Sequence, residues 1–246
     1  GIKDEPFMGA AKDYMQRIEF HLTQIDYGDR TDDISTKWSD IIKDLKKDES
    51  FGLQLEHNVP AAAPLVEEAK RVADAEQRMK FLYNKLRQDL TWNEDNGIYT
   101  DIGIARTWET KKGNLADINL LLIKLLNDAG IKAQPILFST RDNGLAVPNY
   151  PNKSQFNSVM ALVTINTNHF VLDATNKVIH YRLIPEEVVN TNGFIVEGEN
   201  GRWKEIISGR NHYKVTAAVQ GEIDAEGNMK GSCLVNCYDY ARVQRC

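Results

Sequence analysis

The stretch Lys111–Phe138, KKGNLADINLLLIKLLNDAGIKAQPILF, decides the fold. Asn114 stands where a helix cap belongs, and Asp117 sets a carboxylate against the positive end of the helix dipole. Leu115, Ile118, Leu122 and Leu125 recur at helical spacing as a buried stripe. Gly130 ends the helix, and Ile131–Phe138 reads as the buried strand that follows. Several enzyme folds use such a loop, capped helix, glycine stop and strand to present a nucleophile at a helix N-terminus. Here Leu115 stands in the nucleophile's position.

Upstream, Ala61–Pro64 opens a helix that runs to about Leu90, with Pro64 near its first turn and Val72, Ala75, Met79, Leu82, Leu86 and Leu90 along one stripe. Between it and the capped helix, Thr91–Lys112 reads as a long loop carrying Trp92, Tyr99 and Trp108. Loops beyond about 15 residues tend to serve function or wrap something. These aromatics either fix the loop to the core or stack on a ligand. Nearer the start, Arg17–Leu22 alternates with the period of a half-buried strand, and Ser35 caps a helix running to Leu45. One strand and one helix do not close a core, so residues 1–60 read as the tail of a preceding domain, a linker, or a piece packed on the next domain.

Downstream, Arg141–Gln155 is a polar, turn-rich loop. Phe156–Ile165 and His169–Thr175 form a hairpin around Asn166–Asn168. A two-residue turn at Asn166 and Thr167 pairs Ile165 with Asn168 and Met160 with Asp173, which sets Ser158 and Asp173 diagonally on one face. A three-residue turn breaks that parity. Tyr213–Gln244 reads as another hairpin, around Asp224–Asn228, so residues 209–246 are taken as the start of a C-terminal β-domain.

The 246 residues are 42% hydrophobic, enough for a sizeable core. A net charge of -5 argues against nucleic acid as a partner, because that partner calls for a basic face. No apolar run reaches the roughly 18 residues of a membrane span; the longest, Ile118–Leu126, contains Asn119 and Lys124. The chain starts without Met or a signal peptide and reads as an excised fragment. Cys233 and Cys237, four apart in a strand, stand roughly 13 Å apart, too far for a disulfide, and read as ordinary half-buried thiols. No zinc-like ligand spacing accompanies them, so neither metal nor cofactor is expected.

Taken in order, Gly113-Asn114-Leu115-Ala116-Asp117, the helix ending Ala129-Gly130-Ile131, the strand, and FNSVMALVTINTNHFVLDAT (Phe156–Thr175) resemble the transglutaminase-like branch of the papain-type cysteine enzymes. The resemblance runs from about Pro64 to Gly198. It implies an α+β fold with N-terminal helices packed on an antiparallel sheet, flanking β segments, and a transglutaminase-like domain over 61–208. The family's Cys, His and Asp fall on Leu115, Ser158 and Asp173, so only the acid is kept. Leucine has neither lone pair nor proton to give, and Ser158 needs a base. His169, nearest in sequence, pairs with Thr164 in the two-residue-turn register, roughly 20 Å along the strand from Ser158. None of the other histidines, His21, His57, His180 and His212, falls in these motifs.

The flanks KDEPFM, RIEFHL and the last hairpin resemble pieces that adjoin such domains in multidomain bacterial envelope proteins. Those proteins are exported, which implies a periplasmic or outer-surface location. Three readings of function follow. The first is a non-catalytic binding or scaffolding module for a peptide, protein or glycan of the envelope. Its candidate residues are Trp92, Trp108, Asn114, Asp117 and Asn157, with Leu115, Ser158 and Asp173 lining the cleft. The second is an active hydrolase or acyltransferase with relocated residues; it needs an acid/base pair, and of the carboxylates that could form one, Asp117 already has a capping role and Asp173 lies on a face built for orienting a base. The third is a structural spacer. An open cleft with convergent polar groups favours binding, and a cleft filled by Leu115 favours the spacer.

Overall fold

The computed structural model describes residues 9–245 other than 17, 19, 21, 34–36 and 209–210. Two short strands, β1 (Gln24–Asp26) and β2 (Thr31–Asp33), pair antiparallel ahead of helix α1 (Trp38–Lys47). Helices α2 (Ala63–Lys70) and α3 (Ala75–Asp89) follow. Two-residue strands β3 (Thr91–Trp92) and β4 (Lys112–Gly113) pair parallel on either side of α4 (Ile104–Thr110). Helix α5 (Leu115–Asp128) leads into β5 (Ala133–Phe138), β6 (Ser158–Ile165), β7 (Asn168–Leu172), β8 (Thr191–Ile195) and β9 (Arg202–Ile206). These five strands form one antiparallel sheet in the order β7-β6-β5-β8-β9. The chain ends with a separate ribbon of β10 (Tyr213–Ile223) and β11 (Met229–Asp239), then the short helix α6 (Tyr240–Val243). Helices first and an antiparallel sheet after them make the class α+β.

Helix α5 carries more than a buried stripe. Eleven of its residues are buried, including Leu120, Leu121 and Ile123 beside the expected Leu115, Ile118, Leu122 and Leu125. A helix apolar nearly all round belongs inside a protein. The sheet covers one side of α5 through Val159, Ala161 and Val163 of β6, and α3 and α4 lie on others with Met79, Leu82 and Ile104 in the same core. The alternate residues of these strands, Ile136, Phe138, Met160 and Leu162, form a second cluster with Val188 on the opposite face of the sheet. Gly130, at φ +79°, closes α5 in the left-handed region, and the Ile131 N–H returns to the Leu126 carbonyl at 2.9 Å. Asn127 then grips Ala133 with two 3.0 Å hydrogen bonds, which joins the helix end to β5.

Several expectations change. The helix expected to run unbroken from Ala61 to Leu90 is two helices, parted at 71–74. Asp74 caps the second by accepting from the Gln77 N–H at 2.8 Å, and Arg78 binds the carbonyls of Val72 and Ala73 in the break and that of Ala129 beyond α5. A side chain that takes up the free carbonyls makes the interruption tolerable. The segment expected as a plain loop, Thr91–Lys112, contains α4, whose Thr107 and Trp108 are buried. Ile18, Phe20 and Leu22, expected in a half-buried strand, are exposed and in no strand; Arg17, Glu19 and His21 lie outside the described residues. The Ser35 cap also lies outside them, and α1 starts at Trp38. Cys233 is exposed rather than half-buried, and both it and Cys237 are free.

Helix α1 is joined to the main core. Its Ile41, Ile42 and Leu45 are buried there, and Trp38 lies 4.4 Å from the Phe194 ring and 5.3 Å from that of Trp203. The hairpin of β6 and β7 has the two-residue register, Ile165 opposite Asn168 and Thr164 opposite His169, with Asn166 at φ +55° in the turn. That register fixes the faces on which the next residues of both strands stand.

Candidate functional site

The N-terminus of α5 is closed by its own side chains. Asn114 Oδ1 accepts from the Asp117 N–H at 2.8 Å, and Asp117 Oδ2 accepts from the Asn114 N–H at 3.0 Å, a reciprocal capping box. Asp117 Oδ1 also takes the Gly103 N–H at 2.9 Å, and Asn114 Nδ2 donates to the Tyr99 carbonyl. Burial pushes the Asp117 carboxyl up from its ordinary range, although the backbone N–H groups around it favour the charge. Gly113 is needed at this approach, since a Cβ there would stand 2.7 Å from Asp117 Cβ. Asn114 and Asp117 are thus spent on the fold.

Beside this helix start lies a cavity of about 260 Å³, where the ends of α5 and β6 meet the turn Glu186–Val188. Leu115, Ser158 and Asp173 converge there, together with Trp92, Thr175 and Glu187; Asn96, Thr140, Asp142 and Asn176 complete the lining. Leu115 is 5% exposed and directs its backbone N–H to the Asp95 carbonyl at 3.0 Å. Trp92 donates its ring N–H to the same carbonyl at 2.9 Å. Ser158 pairs with Phe138 across β5 and β6 and is fully buried, yet its hydroxyl has no hydrogen-bond partner among the described residues.

Asp173 is held from several sides. Its Oδ1 accepts from Asn119 Nδ2 at 3.0 Å, from the Thr175 N–H at 2.9 Å and from the Thr175 hydroxyl at 2.7 Å. Asn119, on α5, also donates to the Val159 carbonyl at 3.0 Å and accepts from the Ala174 N–H at 2.9 Å, so one amide ties the central helix to β6 and to the turn after β7. The buried Tyr83 hydroxyl donates to the Asp173 carbonyl at 3.1 Å, and burial raises the phenol above its ordinary range. Glu187 is half-buried. Desolvation, with the negative charges of Asp173 and Glu186, pushes its carboxyl up to about 7.

The other candidates stand apart from this cavity. Trp108 is buried in the core with Lys111 Nζ 3.1 Å above its ring. Asn157 locks the end of β5, accepting from the Thr140 N–H at 2.9 Å and donating to the Thr140 hydroxyl at 2.8 Å. Asn119 and Glu187 were not singled out from the sequence. Asn119 carries a signal, as the polar residue inside the apolar run Ile118–Ile123. Glu187 carries none, since its surroundings come from segments distant in the chain.

Chemically, the cavity offers three carboxylates, hydroxyls and amides, and among the described residues no cationic side chain and no thiol line it. Among them Ser158 has no imidazole beside it either; His169 bonds the Thr164 hydroxyl at 3.1 Å, six positions along β6. Larger hollows of about 630 and 500 Å³ lie beside Leu145 and Tyr150 and beside His180 and Arg242, but neither includes an unpartnered buried group. Among the described residues no three His, Cys, Asp or Glu are grouped to hold a metal, and no helix is long and apolar enough to cross a membrane.

No family model and no curated protein matches the chain. Among solved structures it is similar to the crystal structure of a "putative protease" from Parabacteroides distasonis, at TM-score 0.47 and 15% identity over 69% of this chain. The chain spans 30% of that protein's length.

Proposed function

We propose that the chain is a non-catalytic transglutaminase-like domain of papain type that binds a peptide or glycan in the cleft at the start of α5. The observation that carries this reading is the convergence of Leu115, Ser158 and Asp173 on one open cavity at a helix N-terminus. That is where the resemblance puts a nucleophile, a base and an acid. A leucine and an unassisted serine cannot form and resolve a covalent intermediate. The polar lining of the open cavity supports binding over a spacer role. In this reading residues 61–208 are the transglutaminase-like unit, with α1 docked on it, and 209–246 begin a β-domain. Its setting is the bacterial envelope, on the strength of the resemblance alone.

Hydrolysis of peptide and glycoside substrates and incorporation of amines test the reading. The expected outcome is no turnover that depends on Ser158, Asp173 or Glu187. Turnover abolished by Ser158→Ala overturns the non-catalytic assignment, and turnover abolished by Glu187→Gln replaces it with an acid-catalysed one.

A further inference from the structure

We propose that the cleft beside Leu115 holds a single sugar ring of a glycan, with the Ser158 hydroxyl bonded to a ring hydroxyl. This rests on the reading of the cleft as a binding site and narrows its ligand to one chemical class. The first support is the unpartnered Ser158 hydroxyl. The residue is 0% exposed and lines the cavity, and the great majority of buried polar atoms in folded proteins have a partner. A buried hydroxyl left unpaired is costly, and one that lines a cavity is placed to bond whatever enters it.

The second support is the balance of donors and acceptors. Asn96 brings an amide that donates and accepts, Asn176 an amide N–H whose oxygen already serves the Val178 and Ile179 N–H groups, and Ser158 and Thr140 bring hydroxyls, that of Thr140 already accepting from Asn157. Glu187 is half-buried, and its carboxyl takes a hydrogen bond from its own backbone N–H. Near neutral pH it is shared between an acceptor and a donor form. A ligand fitted to such a wall must itself donate and accept at several points, which a ring of hydroxyls does. An ammonium group only donates and would leave the amide N–H groups unserved; of the other two carboxylates, Asp173 is already satisfied by Asn119 and Thr175, and Asp142 is exposed to solvent.

The third support is size and the apolar wall. At about 260 Å³ the cavity is smaller than the roughly 300–1,000 Å³ of pockets for drug-sized ligands, and it suits one ring with its substituents. Trp92 and Leu115 supply an apolar surface for the C–H face of that ring, and the Trp92 ring N–H is already committed to Asp95. Asp117 neutralises the helix end, so the cleft makes no demand for an anionic ligand.

The test is titration with the methyl α- and β-glycosides of glucose, galactose, mannose and N-acetylglucosamine, read by tryptophan fluorescence and saturation-transfer NMR. N-acetyl-lysine methylamide and a trialanine peptide are titrated in parallel. At least one glycoside is expected to bind and to change fluorescence, and Trp92→Phe is expected to remove that change. Ser158→Ala is expected to weaken binding about tenfold, the loss of one good hydrogen bond, with a melting temperature no lower than that of the unmodified protein. Glu187→Gln, which keeps shape and removes charge, gives a second measure of affinity. Binding of no glycoside, or glycoside binding indifferent to Ser158→Ala, overturns the proposal. Binding of the peptide or the lysine derivative alone, with Ser158 dependence, overturns the sugar and leaves the binding cleft standing.

Discussion

Asn119 Nδ2 stands 3.0 Å from Asp173 Oδ1, so the middle of the central helix holds the acid of the cleft in place. The same amide also serves the Val159 carbonyl and the Ala174 N–H. One side chain therefore bonds three buried groups.

Asn119→Leu follows directly. Leucine is close in size but returns none of those hydrogen bonds, which leaves the Ala174 N–H and the Val159 carbonyl without this partner and takes one of three donors from Asp173 Oδ1. Unfolding in urea should show a loss of about 3 kcal/mol, since each such group costs about 1–3 kcal/mol. A loss below about 1 kcal/mol means that water or a neighbour takes over the role.

Gly113→Ala tests the entry to α5. The added methyl would meet Asp117 Cβ at 2.7 Å and the Thr107 side chain at 3.0 Å, atoms that are buried and cannot swing away. Overpacking of this kind costs about 1–3 kcal/mol, and a thermal melt should show it. An unchanged melting temperature would mean that the capping box can shift to make room.

Glu187 gives a pH dependence of definite sign. Its folded value, about 7, lies above the ordinary 4.5, so the folded protein holds the proton more tightly than the unfolded chain. Its contribution to stability is complete below about pH 4.5 and is lost as the pH rises towards 7. Asp117, also raised, adds a loss of the same sign that begins from its ordinary 3.8. Urea unfolding across this range should show stability falling with pH, and Glu187→Gln should flatten the part nearest neutrality. An identical slope in the variant would show that Glu187 ionises freely in the fold.

Much of this arrangement was legible in the sequence because its signals are local. Asn114 and Asp117 mark the start of α5 and Gly130 marks its end, and the two-residue turn at Asn166 and Thr167 is enough to fix the register that follows. What escaped depends on partners far along the chain. The break between α2 and α3 lies inside a continuous apolar period, and Arg78 makes it tolerable by reaching Ala129, 51 residues away. Helix α4 has seven residues behind a glycine cap at φ +81°, too short for its period to stand out from a loop. Glu187 looks like a surface acid until Asp173 is placed near it.

The terminal ribbon has a different consequence. Every residue of β10 is exposed, and only Cys237 and Asp239 of β11 are partly covered. The body of the protein grips it chiefly through Tyr240 and Ala241 of α6, with the Tyr240 hydroxyl on the Ile184 carbonyl at 3.0 Å. The eleven-residue ladder of β10 and β11 can therefore open without disturbing the core. In deuterated solvent its amides should exchange by local fraying, while those of α5 wait for the whole molecule to unfold, so the chain keeps two separate clocks.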